Sequence, residues 1–106
     1  MGNSNQYDEK ILQEAIKKLL EFDQDACFES VRTQMVKRIK SDRRHNKAVS
    51  QEEYKSTAMF LTTFYFTEHH IPSMFYTLEF VQKKYPELVE RIMVMVEEAM
   101  KPTREL

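Results

Sequence analysis

Apolar positions recur along most of this chain every three to four residues, the period of an α-helix and not the alternation of a strand. Tyr7, Ile11, Leu12, Ala15, Ile16, Leu19 and Leu20 share one broad face, while Lys10, Gln13, Glu14, Lys17, Lys18 and Glu21 fill the opposite one. This spacing predicts a first helix from about Asn5 to Phe22. Asp23, Gln24 and Asp25 then interrupt the pattern with residues that cap helix N-termini. A second helix is expected to run to about Lys40 on a narrower stripe of Cys27, Phe28, Val31, Met35 and Ile39. Residues 41–49 are polar and densely charged and read as a loop.

Ser50 followed by Glu53 is a capping box, which opens a third helix continuing to about His69. Residues 58–66 are apolar nearly all round, which predicts a buried helix at the centre of the fold. Their threonines and aromatics also suit a strand. The capping box and the length of the segment favour helix. Pro72 then punctuates the chain, and a fourth helix carries Met74, Phe75, Leu78, Val81 and Tyr85. Pro86 either opens a fifth helix or kinks a continuous one. The last segment presents Leu88, Val89, Ile92, Met93, Met95, Val96, Ala99 and Met100. The expected fold is all-α: one domain over residues 1–106, a compact antiparallel bundle of four to five helices, with residues 1–5 and 101–106 as frayed tails. Leu61, Tyr65, Leu78, Val81 and Pro86 resemble the spacing of a tetratricopeptide helical hairpin. That resemblance implies helix-hairpin packing, and no second copy follows at the repeat period.

The sole glycine, Gly2, removes several chemistries at once. A glycine-rich phosphate loop and a G-x-S-x-G nucleophile elbow both need glycines that the rest of the chain lacks. A single cysteine, Cys27, excludes an internal disulfide framework and multi-cysteine metal sites, and it fits a reducing, cytoplasmic setting. No apolar run has the length of a membrane span. Cys27 lies on an apolar stripe and reads as a buried structural residue. His69 and His70 point about 100° apart on a helix and make a poor metal pair. Arg38 and His45, separated by six residues, resemble the loose arginine–histidine spacing of the HEPN ribonucleases. The resemblance covers those two residues, and it implies phosphate stabilisation by the arginine and acid–base chemistry by the histidine. The chain as a whole reads as non-enzymatic, with no cofactor and no metal.

Charge and methionine placement point to binding instead. The formal net charge of −1 conceals a segregation of −4 over residues 1–30, +6 over residues 31–49 and −3 over residues 50–106. Lys37, Arg38, Lys40, Arg43, Arg44 and Lys47 form a basic island suited to an acidic protein surface or, as the alternative, to nucleic acid. Replacing Arg43, Arg44 and Lys47 by alanine is expected to leave stability unchanged. The last helix has two apolar flanks, and Val94 sits among its charges. Met93, Val94 and Met100 are therefore the candidate apolar contact with a partner protein or a second copy of this chain. The favoured function is a small adaptor or regulator acting by protein–protein binding. The alternative is a nucleic-acid-binding regulator using residues 37–47.

Overall fold

Among the described residues the chain forms five helices: α1 (Gly2–Leu20), α2 (Gln24–Arg44), α3 (Gln51–Glu68), α4 (Leu78–Lys84) and α5 (Pro86–Met100). The computed structural model describes residues 2–71 and 77–102, with side chains from residue 9 onward. No strand occurs among the described residues, so residues 58–66 are helical. The expected positions of Met74 and Phe75 in a fourth helix lie outside the described residues.

Three of the helix starts carry side-chain caps. Asp23 Oδ1 accepts from Ala26 N at 3.0 Å, Ser50 Oγ from Glu53 N at 3.1 Å and Thr77 Oγ1 from Phe80 N at 3.2 Å. Each satisfies a backbone donor that the helix itself leaves open, an effect of about 1 kcal/mol. α5 begins differently, with Pro86 in its first turn, and Tyr85 is the single non-helical residue between α4 and α5. Helices four and five are thus separate.

Two helix ends need a left-handed residue, and the chain supplies one without glycine. Asn46 and His70 have φ of 55° and 59°. At the end of α2, Asn46 N donates to Arg43 O and Lys47 N to Asp42 O. At the end of α3, His70 N donates to Thr67 O and Ile71 N to Phe66 O. Both are Schellman closures, in which the residue after the cap reverses the chain. Ile71 is buried beside the second closure and supplies its apolar contact.

The core lies between α2, α3 and α5. α2 contributes Cys27, Val31, Met35 and Ile39, each four residues from the last. α5 contributes Leu88, Ile92, Met95 and Val96, and α3 contributes Tyr54, Ala58, Met59, Thr62 and Phe66. Thr62 is fully buried, and its hydroxyl donates to Ala58 O at 2.7 Å, so no buried donor is left open there. α2 and α5 run in the same direction: Asp25 pairs with Arg91 near their beginnings, and Arg43 reaches the carbonyl of Met100 at their ends. α3 runs against both, with Tyr54 beside Asp42 and Lys55 beside Glu97. At the other end of the bundle Phe22 stacks with Phe66 at 4.3 Å and with Tyr85 at 5.2 Å between ring centres.

Several boundaries and burials differ from the sequence reading. α1 starts at Gly2, three residues before the expected Asn5. α2 continues four residues past Lys40, because Asp42 and Arg43 gain partners on α3 and α5 that reward keeping the helix wound. The segment of α3 expected to be buried all round is one-sided. Phe60 is 67% exposed and Phe64 50% exposed. α2, α5 and the short α4 cover only part of its circumference. The wide face of α1 is also largely uncovered: Ile11, Leu12 and Ile16 are nearly half exposed and Leu20 is 80% exposed. α1 meets the bundle at its base, where Leu19 and Phe22 pack on the core and Lys18 Nζ donates to His70 O. The molecule is accordingly 68 Å long and 21 by 20 Å across. At about 1.5 Å of rise per residue α1 and α2 span about 28 and 31 Å, so the long dimension requires them nearly end to end.

Candidate functional site

α2 and α5 run side by side, but small and branched side chains on their outer edges leave a valley between them. Phe28, Arg32 and Val36 come from α2, and Glu87, Glu90, Arg91, Val94, Met95, Glu98 and Ala99 from α5. The groove encloses about 780 Å³, within the range of ligand and peptide sites. Its floor is Phe28, Val36, Val94, Met95 and Ala99, and its rims are charged. Val94 remains 46% exposed there. Arg91 anchors one end: its Nη1 lies 2.8 Å from Asp25 Oδ1, and its guanidinium sits 4.3 Å from the centre of the Phe28 ring. That cation–π contact fixes both groups at low entropic cost.

A second, smaller groove of about 490 Å³ lies on the other side of α5, lined by Met59, Phe60, Leu78, Val89 and Met93 among others. Met93 and Val94 are adjacent residues, about 100° apart around the helix, and so serve different grooves. Met100 is partly buried against the core at the end of α5. The three residues expected to form one apolar contact are therefore distributed over three places. Phe28 belongs to the stripe that the sequence assigns to the core of α2, and Val36 lies outside that stripe. Both fall one position after a buried residue of α2, Cys27 and Met35, which places them at the edge of the core and on the groove.

The basic island is helical over most of its length. Lys37, Arg38, Lys40, Arg43, Arg44 and Lys47 are all exposed. Lys37, Lys40 and Arg44 share one outward face of α2, three and four residues apart. Arg43 is directed elsewhere: its Nη2 donates to the carbonyl of Met100, with those of Ala99 and Lys101 close by. These are the open acceptors at the end of α5, where a cation also meets the negative end of the helix dipole. Arg43 thus caps the end of α5, which gives it a structural contact that Arg44 and Lys47 lack among the described residues.

The groups considered for chemistry have structural surroundings. Cys27 is fully buried, and burial pushes its thiol up to about 12, which leaves almost no thiolate at neutral pH. Tyr54 donates to Asp42 Oδ2 at 2.7 Å, and burial followed by that hydrogen bond pushes its hydroxyl up to about 12. His45 caps α2, with Nδ1 2.7 Å from Ser41 O. His69 ends α3 with its ring 4.2 Å from that of Tyr65. Among the described residues, no three His, Cys, Asp or Glu side chains converge as a metal site, and no helix is long and apolar enough to cross a membrane. No protein-family model, curated protein or solved structure matches this chain.

Proposed function

We propose that this chain is a small cytoplasmic adaptor or regulator, without catalytic activity, that binds an amphipathic helix in the groove between α2 and α5. One observation carries the reading: an apolar floor of Phe28, Val36, Val94, Met95 and Ala99 stays open to solvent in the fold, with Val94 46% exposed. Helix-in-groove recognition uses such a floor with charged rims to set orientation. The uncharged, buried Cys27 is in keeping with a reducing compartment.

Affinity capture with the wild-type chain and with Val94→Glu, each with and without nuclease, tests this. A protein partner retained after nuclease treatment and lost with Val94→Glu supports it. A partner retained by Val94→Glu overturns it. The aligned Lys37, Lys40 and Arg44 favour a second reading, nucleic-acid binding. That reading requires captured nucleic acid whose affinity falls steeply with salt and with replacement of these three residues.

A further inference from the structure

Two unsatisfied apolar surfaces coexist on this one chain. The groove between α2 and α5 lacks a helix, and α1 lacks a groove. We propose that they satisfy each other between two copies: α1 is an exchanged arm that lies in the α2/α5 groove of a second copy of this chain. The inference rests on the reading of the groove as a helix-binding site and names its occupant.

Length and polarity both fit. Leu12, Ile16 and Leu20 repeat every four residues and form a stripe about 12 Å long. From Glu87 to Ala99 the groove runs about 18 Å along α5, enough to take the whole stripe. α1 leaves the bundle at the end where α2 and α5 begin, since Phe22 packs there on Phe66 and Tyr85. Two copies meeting at those ends each send an arm back along the other, antiparallel to α2 and α5. The arrangement is two-fold symmetric and closed, so it stops at a dimer. Each groove then holds a fourth long helix, completing a four-helix bundle on both sides.

Size, more than net charge, separates the two grooves as hosts: about 780 Å³ between α2 and α5 against about 490 Å³ on the other side of α5. Over Gly2–Leu20 the arm carries Lys10, Lys17 and Lys18 against Asp8, Glu9 and Glu14, a net charge of zero. The rim of the α2/α5 groove carries Glu87, Glu90 and Glu98 against Arg32 and Arg91, a net −1. The smaller groove on the other side of α5 has Glu52 and Lys55 on its rim, and Lys55 is already paired with Glu97. Rim charges of this kind set orientation and partner choice more than raw affinity.

Sedimentation equilibrium on three full-length proteins tests the exchange: wild type, Val94→Glu (groove) and Leu12→Lys/Ile16→Lys (arm). All three positions are exposed in the single chain, so the variants keep the fold, which circular dichroism verifies. The expected result is a wild-type dimer weakened roughly tenfold or more by either set of changes. An equimolar mixture of the two variants should recover a dimer with one of each, because one intact arm meets one intact groove. Failure of the mixture to recover a dimer overturns the exchange. So does a Val94→Glu protein that dimerises normally while the arm variant does not, since the arms would then pair with each other. A monomeric wild type also overturns it. In that case the fluorescence of 8-anilinonaphthalene-1-sulfonate decides the groove separately: a signal that Val94→Glu abolishes leaves the groove reading standing, and no signal removes both.

Discussion

Two tyrosines in the same core illustrate how far a single hydroxyl matters. Tyr54 and Tyr85 are 5% and 6% exposed. Tyr54 donates to the Asp42 carboxylate, whereas the Tyr85 hydroxyl has no hydrogen-bond partner among the described residues. A buried polar group without a partner keeps its desolvation penalty and gains nothing in return. Tyr54→Phe should therefore cost about 1.5 kcal/mol, and Tyr85→Phe should be neutral or stabilise by up to about 1 kcal/mol. Urea titration of the two variants reads both signs. Cys27 makes a pH-dependent contribution. Its thiol ionises near 8.5 in the unfolded chain but holds its proton to about 12 when folded. Above that unfolded value the unfolded state binds fewer protons than the folded one, so stability falls as pH rises toward 12, by up to about 1.4 kcal/mol per pH unit. Tyr54 adds to the fall above about pH 10. Chemical denaturation at pH 8, 9.5 and 10.5 should show the decline, with a shallower slope for Cys27→Ala.

At the level of elements, the basic island divides into a structural and a free part. Arg43 closes the end of α5, while Arg44 and Lys47 are exposed, and no hydrogen bond or ion pair involves either side chain among the described residues. Hydrogen bonds from a cation to open helix carbonyls are stronger than neutral ones. Arg43→Ala should cost about 1–2 kcal/mol, and Arg44→Ala/Lys47→Ala should change stability by no more than about 0.5 kcal/mol. Thermal melts of the two proteins make the comparison. Sequence made the island visible through charge density, but the partner of Arg43 lies 57 residues away. The same limit applies to α3. Its local pattern shows many apolar residues, and only the count of helices around it decides that Phe60 and Phe64 face water.

For the molecule as a whole, the projecting α1 sets the shape. The Cα radius of gyration is 17.4 Å, against about 13 Å for a compact chain of this length. Small-angle scattering from the doubly altered chain, Ile16→Lys with Val94→Glu, should give a monomer with a longest dimension near 68 Å. An α1 folded back along α2 would shorten it to about 40 Å. What the sequence alone determined is local. Helix positions, the caps at Asp23 and Ser50 and the buried stripe of α2 all follow from contacts within one or two turns. The break at Pro86 was legible as an alternative, and the fold settled it as two helices. Tertiary structure decided which apolar face meets which. A 3.6-residue period states that residues share a side of a helix, but it does not state what covers that side. For α5 both flanks and the stranded Val94 fit the same pattern, and the parallel course of α2 assigned them to a core and two grooves. For α1 the pattern promised burial, and the three-residue link to α2 instead carried its stripe out into solvent.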